Sequence, residues 1–268
     1  MNEMRYNGEH KRRKHFMKNY HTHTKRCKHA INTEEEYILS AIKAGYTELG
    51  FSDHTPWVYT SSFHPTMRME ASEIEDYITT LLQLKEKYKN QISIKIGLEC
   101  EYFEKYMDGL KKMLKTYPID YIILGQHYDE SDENGCYFGF PLTFKQLTKY
   151  VDTCIQAMET GLYSYVAHPD LANFNTKDPF YIQEMKRLCL KAKQLDLPLE
   201  FNLLGYKTHR HYPCDDFFKI AREVGNRVVI GTDAHEASAL LDMQTYQQAK
   251  QHLEDLGFEI TEDIRFLR

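Results

Sequence analysis

The 268-residue sequence predicts an α/β protein, a distorted (β/α)7 barrel with a metal site at the C-terminal ends of its strands. Short apolar segments alternate with amphipathic segments along almost the whole chain, which is the pattern of parallel strands joined by helices. Side chains that can bind metals follow six of the predicted strands. An open doubly wound sheet fits the alternation equally well, but only a closed barrel readily brings that many strand ends to one mouth.

The first predicted strand is the β-prone run at residues 20–24, in which His21 and His23 stand two positions apart. Because side chains alternate between the two faces of a strand, both imidazoles point to the same side. Two neutral imidazoles that converge on one point are half of a metal site. An isolated pair of this kind recurs by chance, so its meaning depends on the ligands that follow later in the chain.

The first half of the chain continues as alternating helices and strands. Thr33 and Glu36 form a capping box that predicts the start of the first helix, and Gly45 is placed to end it. Ser72 and Glu75 form a second capping box. Apolar spacing predicts a third helix over residues 103–114. The predicted strands cover residues 47–52, 92–99 and 119–125, and the ligand candidates at or after their ends are His54, Glu99 and His127.

The second half repeats the same alternation. Pro179 suits the first position of a helix, where its missing N–H costs nothing. His168 ends one strand, and the last strand runs into Asp233 and His235. The predicted helices cover about residues 144–158, 179–195, 217–224 and 237–256, and the strands cover 163–167, 198–201 and 227–231.

Composition excludes several classes of protein. The formal charge of -5 and the pI near 6.2 argue against a nucleic-acid binder that works through bulk electrostatics, although a local basic pocket stays open. The six cysteines lack CxxC spacing and no signal peptide precedes them, so we expect reduced thiols in a cytoplasmic protein. No apolar run reaches the roughly 18 residues that span a membrane. The oligomeric state leaves no mark in the sequence.

The N-terminal segment differs from the rest of the chain. Residues 1–16 are polar and basic, and we expect a disordered extension ahead of a single domain over residues 17–268. A nucleic-acid arm is the other interpretation of such a run. The codons for residues 11–14 can resemble a bacterial ribosome-binding site just before Met17, which suggests the hypothesis that translation starts at Met17.

Nine side chains form the candidate metal constellation, and seven of them are imidazoles. One catalytic ion usually takes three or four protein ligands and keeps a position open for water, so nine ligands imply two or three ions. Glu99, at the end of an apolar strand, is the natural carboxylate to bridge two of them. The candidates are His21, His23, His29, His54, Glu99, His127, His168, Asp233 and His235.

These motifs, in this order, resemble the polymerase-and-histidinol-phosphatase (PHP) family, and the resemblance extends from Met17 over nearly the whole chain. It implies three divalent ions, which could be Zn, Mn or Fe. The first would be held by His21, His23, Glu99 and Asp233, the second by Glu99, His127 and His168, and the third by His29, His54 and His235. Gln126 is a local difference, because a small residue is expected before the strand-end histidine.

Within the family, residues 52–56, 67–69 and 97–102 are most similar to the branch that acts on histidinol phosphate. The resemblance implies a cytoplasmic phosphomonoesterase that releases L-histidinol and phosphate, a step of histidine biosynthesis. The hypothesis for its mechanism is attack by a hydroxide that bridges two metals, in a cluster that includes the catalytic carboxylates Glu99 and Asp233. Asp53 is expected to orient a ligand imidazole rather than to donate a proton.

Four side chains are the candidates for binding the substrate. Arg210 and Arg68 are cations that could hold the phosphate. Glu101 and Tyr102 could form acidic and aromatic walls for an ammonium and an imidazole. The expected partner is therefore a small phosphate ester, without nucleic acid or membrane.

Three rival interpretations remain at this point. The same cluster could serve a phosphotyrosine, nucleotide or nucleic-acid phosphate ester. Amidohydrolases also begin with His-x-His, but they ordinarily have eight strands and often a bridging lysine, where this chain has Gln126-His127. A metal-binding module without catalysis would need neither open coordination nor a pocket.

Overall fold

Parallel strands and helices alternate along residues 17–267, which are the residues that the computed structural model describes. The strands are β1 (Met17–Asn19), β2 (Tyr46–His54), β3 (Ser93–Cys100), β4 (Tyr121–Leu124), β5 (Leu199–Asn202) and β6 (Val228–Gly231). The helices are α1 (Glu34–Ala44), α2 (Ile74–Tyr88), α3 (Met107–Thr116), α4 (Phe144–Glu159), α5 (Pro179–Gln194), α6 (Leu203–Lys207), α7 (Asp215–Val224) and α8 (Met243–Asp255). The predicted N-terminal extension, residues 1–16, lies outside the described residues, so neither its disorder nor the hypothesis of a start at Met17 is tested.

The strands form a curled parallel sheet. Strands β1 to β4 pair in sequence order, and β5 pairs with β6. Val166 joins the two groups through single parallel bridges to Leu124 and Leu199. On the other side, Thr22 bridges to Ala234, so the segment after β1 and the segment after β6 also meet. The α/β class with a parallel sheet is therefore confirmed.

The predicted strand at residues 163–167 is reduced to the bridging residue Val166, which leaves six strands in the described residues rather than seven. Val166 donates to the carbonyl of Pro198 and accepts from Glu200. The next hydrogen bond of a parallel ladder would need an N–H on residue 198, and proline has none. Pro198 therefore limits the ladder on the side that faces β5.

Burial explains why the strands read as continuous apolar runs. Every residue of β4, β5 and β6 is buried. A parallel sheet with helices packed over it loses contact with water on both faces, so it does not show polar alternation. Helix α1 covers the sheet with Tyr37, Ile38 and Ala41, which lie on one helical face.

Most helix boundaries follow the predicted signals. The capping box of Thr33 and Glu36 starts α1, Gly45 ends it with a φ of 89°, and Pro179 is the first residue of α5. The box predicted at Ser72 and Glu75 is wrong. The reciprocal hydrogen bonds form two residues earlier, between Glu70 and Glu73, because a short 3-10 turn at Ala71–Glu73 precedes α2.

Two other boundaries differ from the prediction. The last helix begins only at Met243, after a 3-10 turn at Ala237–Leu241, because Asp242 accepts from the backbone of Thr245 and caps it. Helix α6 was not predicted; Asn202 ends β5 and caps it by accepting from Gly205. All six cysteines are free thiols. Among residues 17–267, no helix combines the length and the apolar character needed to cross a bilayer.

Candidate metal centre

The nine predicted ligands converge at the C-terminal edge of the curled sheet. Eight of them line one cavity of about 540 Å³. His21 lies just behind the cavity wall and is completely buried. Three sets drawn from the nine bring their ligand atoms within 4.8 Å of one another: His21 with Glu99 and His168, His21 with His23 and Asp233, and His23 with His54 and His235. Side chains separated by more than two hundred residues in the sequence thus form one cluster.

Glu99 lies at the centre of the cluster, and one of its carboxylate oxygens, Oε2, faces three imidazoles. Oε2 lies 3.0 Å from Nδ1 of His54 and 3.4 Å from Nε2 of His23. Nε2 of His21 is 3.5 Å away. These three residues come from the ends of β1 and β2, the strands that precede β3.

The second oxygen of Glu99 faces the opposite side of the cavity. Oε1 lies 2.9 Å from Nε2 of His168 and 3.5 Å from Nε2 of His127. These residues follow β4 and the Val166 bridge. The two oxygens of this carboxylate therefore face different groups of imidazoles, which is the arrangement that a bridging ligand needs.

Asp233 and His235 complete the cluster on the remaining side. Oδ1 of Asp233 is 3.2 Å from Nε2 of His23 and 3.4 Å from Nε2 of His21. Nε2 of His235 lies 3.0 Å from Nε2 of His29. Two nitrogen ligands of one tetrahedral ion, each at about 2.0–2.1 Å from it, are roughly 3.3 Å apart, so this pair is close to the spacing of a shared ion.

The residues fit divalent metal ions. His21 Nε2 and His54 Nδ1 are buried and have no hydrogen-bond partner among the described residues, although each faces a carboxylate. A nitrogen lone pair and an anionic oxygen at this distance repel each other unless a proton or a cation lies between them. Imidazole and carboxylate are ligands that Zn, Mn and Fe accept.

The charges of the cluster shift pKa values in both directions. Burial would raise the pKa of Glu99 and Asp233, but the surrounding imidazoles hold the pKa of both carboxyls well below the usual range. Burial lowers the pKa of His54 to about 4 and, with the charge of His23, that of His235 to about 3.

Three other imidazoles of the cluster shift the opposite way. Burial would lower the pKa of His21, His23 and His168, but the neighbouring carboxylates raise it. A divalent cation bound here would compete with the protons on these three rings.

Asp53 lies beside His23, the candidate ligand whose ring it was expected to orient. Its Oδ1 is 3.6 Å from Nδ1 of His23, and its Oδ2 accepts from the backbone N–H of Thr24 at 3.2 Å. Burial would raise the pKa of Asp53, but the neighbouring His23 lowers it below the usual value. An ionised carboxylate has no proton to give, and the orienting role stays a prediction.

Arg210 is the predicted substrate residue that lines the cavity. It is exposed, and its Nη1 donates to the hydroxyl of Tyr212 at 2.7 Å. Tyr128, Tyr137 and Tyr212 line the same cavity, and sequence reasoning missed all three. With twenty tyrosines in the chain, no local signal distinguishes these from core tyrosines.

Arg68 and Glu101 are corrections, because neither lines the cavity. Arg68 is completely buried and donates to both oxygens of Glu101, at 2.7 and 3.1 Å. Its Nε donates to Asp132 at 2.8 Å. Nδ1 of His127 is 3.3 Å from the same Glu101 carboxylate. The pair supports a cluster histidine from behind, so its charges are not available to a substrate.

Tyr102 and Gln126 also lie away from the cavity wall. Tyr102 lines a separate cavity of about 400 Å³. Gln126 is buried; its amide accepts from the backbone of Tyr102 at 2.7 Å and donates to that of Tyr128 at 2.7 Å. The unusual glutamine holds two loops together and does not reshape the pocket.

Glu200 and Asn202 are further residues that sequence reasoning missed. Both are completely buried in β5, behind the cluster, and Glu200 lies 2.7 Å from Nδ1 of His21. A carboxylate at the centre of an apolar strand was the available signal, because such a group is almost never buried without a partner.

Known proteins are similar in sequence to most of the chain. The PHP domain family matches residues 19–202. Histidinol-phosphatase of Bacillus subtilis is 28% identical over 252 residues, which are 81% of this chain and 92% of that protein. A Deinococcus radiodurans protein named "probable histidinol-phosphatase" is 27% identical over 237 residues, 81% of this chain and 85% of its own length.

Solved structures share the fold, and one of them carries bound ligands. It is histidinol phosphate phosphatase from Lactococcus lactis, complexed with zinc, L-histidinol and phosphate. The TM-score is 0.71 at 19% identity, and the match covers 94% of this chain and 99% of that chain.

Proposed function

The chain belongs to the PHP domain family, and we propose that it is a metal-dependent phosphomonoesterase that hydrolyses L-histidinol phosphate to L-histidinol and phosphate. The observation that carries this proposal is the single cavity in which eight of the predicted metal ligands face Arg210. The names of the two relatives, each matched over 81% of this chain, support the substrate. The ligands of the Lactococcus lactis structure agree with it.

Three divalent ions, Zn, Mn or Fe, would occupy the cluster. The two oxygens of Glu99 face separate groups of imidazoles, which supports a bridge between a first and a second ion. The close Nε2 atoms of His29 and His235 support a third. The first site would use His21, His23, Glu99 and Asp233, the second Glu99, His127 and His168, and the third His29, His54 and His235.

We propose that the barrel contains seven β/α units. The segment around Val166 takes the place of the missing strand, because it bridges to β4 on one side and to β5 on the other. Together with the bridge between Thr22 and Ala234, this order would close a ring. The metals would then lie at the C-terminal mouth of a distorted (β/α)7 barrel.

The residues of the chain divide the work of hydrolysis between them. Bound divalent ions supply a water-derived nucleophile near neutral pH and neutralise the charge on the phosphoryl oxygens. Arg210 binds the phosphate from the open side of the cavity through its guanidinium. Asp53 keeps the ring of His23 in place, and Glu99 and Asp233 stay ionised as cluster carboxylates. Tyr137 and Tyr212 narrow the cavity around the ester.

The other esters considered from the sequence have no feature in their favour. Arg210 is the one lysine or arginine among the described residues that line the cavity. A nucleoside di- or triphosphate or a nucleic-acid end carries more phosphate charge than a single monoester and would use a larger basic surface.

Phosphate release from a panel of monoesters tests the proposal. The panel contains histidinol phosphate, a phosphotyrosine peptide and a nucleoside monophosphate, each assayed before chelation, after it, and after addition of Zn, Mn or Fe. We expect turnover of histidinol phosphate to exceed that of the others, to stop on chelation and to return with metal. Equal rates on all esters, or rates that chelation leaves unchanged, would overturn the proposal.

A further inference from the structure

Glu200 connects three parts of the metal centre from behind its wall. The side chain is completely buried in β5. Oε1 lies 2.7 Å from Nδ1 of His21, and Oε2 accepts from the backbone N–H of His168 at 2.9 Å. The amide of Asn202 donates to the same Oε2 at 3.0 Å. Each oxygen of this buried carboxylate therefore has a donor.

Asn202 extends the connection to a third candidate ligand. The same amide nitrogen lies 3.1 Å from Oδ2 of Asp233. Asp233 and His168 both have a positive φ, 51° and 28°, which side chains other than glycine rarely adopt. Such backbones persist where their surroundings hold them in place. The pair formed by Glu200 and Asn202 is in contact with both.

The neighbouring strand β6 packs directly against this carboxylate. A Cβ atom on Gly231, in β6, would stand 1.8 Å from Oε1 of Glu200. The carboxylate is thus fixed against the backbone of β6 on one side and the ring of His21 on the other. A group held so closely cannot swing into the cavity, and it does not line the cavity.

The contact with His21 determines which nitrogen of that ring can bind a metal. A carboxylate oxygen accepts a hydrogen bond, so Nδ1 carries the proton and Nε2 keeps its lone pair. Nε2 is the nitrogen that faces Glu99 and Asp233 and has no partner among the described residues.

We propose that Glu200 is a positioning residue that holds His21 as an Nε2 donor and thereby sets the affinity of the first metal site. This inference rests on the proposed function for the assignment of His21 to that site. A supporting group of this kind typically changes metal affinity by about 10–100-fold. Glu200 itself contacts neither metal nor substrate.

Zinc titration against a competing chromophoric chelator tests the inference in the absence of substrate. The apo forms of the wild type, Glu200→Gln and Glu200→Asp are compared. Glutamine keeps one acceptor oxygen, but its NH2 group must face either the His21 Nδ1–H or the two donors that share Oε2. The matched control is Glu184→Gln, because Glu184 is a buried carboxylate of α5 that bonds to Arg187 at 2.6 Å, away from the cluster.

We expect Glu200→Gln to weaken zinc binding at the first site by about 10–100-fold, more than at the other sites, with the circular dichroism spectrum unchanged. Glu200→Asp keeps the negative charge and should lose less zinc affinity than Glu200→Gln. It takes the place of Glu200→Gln in the comparison if the glutamine variant does not fold. Excess zinc should restore turnover in both. Combined with His21→Ala, Glu200→Gln should add no further loss of zinc affinity, because the two residues act as one unit.

Wild-type zinc affinity in both Glu200 variants would overturn the inference. So would a loss of zinc in the double variant that equals the sum of the two single losses. Failure of the proposed function looks different, because a wild type that binds zinc but does not hydrolyse histidinol phosphate leaves the titration result intact.

Discussion

Gly125 and Glu99 lie so close across neighbouring strands that a Cβ atom on Gly125 would stand 1.8 Å from Oε1 of Glu99. Glu99 is on β3, and Gly125 directly follows β4, which pairs with β3 in parallel. The central carboxylate of the cluster therefore occupies the space that a side chain on the next strand would fill. Gly231 and Glu200 repeat this relationship across β5 and β6.

Gly125→Ala should disrupt the metal centre. The new methyl group cannot fit beside Glu99, so either the carboxylate or the backbone of the strand must move, and overpacking of this kind costs about 1–3 kcal/mol of unfolding free energy. We expect a loss of bound metal and of turnover. Metal analysis, thermal unfolding and phosphate release measure the three effects.

Gly109→Ala is the control for that substitution. Gly109 is exposed on α3, and a Cβ atom there would meet nothing within 4 Å. Alanine should stabilise the helix by roughly 0.5–1 kcal/mol without affecting metal or turnover. Normal metal content in Gly125→Ala would contradict the steric account.

His23→Ala should abolish phosphatase activity while the fold stays largely intact. The ring faces both Glu99 and Asp233, and the loss of a ligand should exceed the about 100-fold effect of losing a supporting group. Phosphate release and circular dichroism measure the result. His64→Ala, at a position with an 84% exposed side chain, is the control. Unchanged turnover in His23→Ala would end the catalytic assignment.

Arg210→Ala should weaken binding of the phosphate. Hydrogen bonds to charged groups contribute about 1.5–3 kcal/mol each, so we expect kcat/KM for histidinol phosphate to fall by roughly 10–150-fold. Arg210→Lys should lose less kcat/KM than Arg210→Ala, but it should not reach the wild-type value, because an ammonium lacks the planar fork of donors. Steady-state kinetics and metal analysis are the measurements. Loss of metal in Arg210→Ala would instead indicate a structural role.

Arg68→Met should lower the free energy of unfolding rather than the affinity for substrate. Its removal leaves the buried carboxylate of Glu101 without its main partner, which typically costs 3–5 kcal/mol of unfolding free energy. Denaturant unfolding measures this loss. A variant with normal stability that has lost its affinity for substrate would restore the phosphate-binding role first predicted for Arg68.

The positions of the candidate ligands followed from local signals in the sequence. His21 and His23 share a face because strand side chains alternate. Glu99 and His168 could be located because each ends an apolar segment, and the C-terminal ends of parallel strands share one edge. Thr33 and Gly45 marked helix boundaries through backbone hydrogen bonds that involve only neighbouring residues.

Other features depend on residues that are distant in the sequence. Arg68 was expected at the substrate, yet its guanidinium pairs with Glu101, 33 residues away. Glu200 reaches His21 across 179 residues. The strand at 163–167 pairs with β5 through one bridge, and its partner segment there holds Pro198, which the apolar pattern of that strand does not reveal.

The alternation of strands and helices and the chemical types of the donors at the strand ends can be deduced from the order of residues alone, because both depend on periodicity and short-range hydrogen bonding. Which charges face the cavity and which are neutralised behind it becomes known only from the folded chain. That choice depends on pairing between buried groups of opposite charge, and burial makes any unpaired group costly. A linear pattern does not contain those partners.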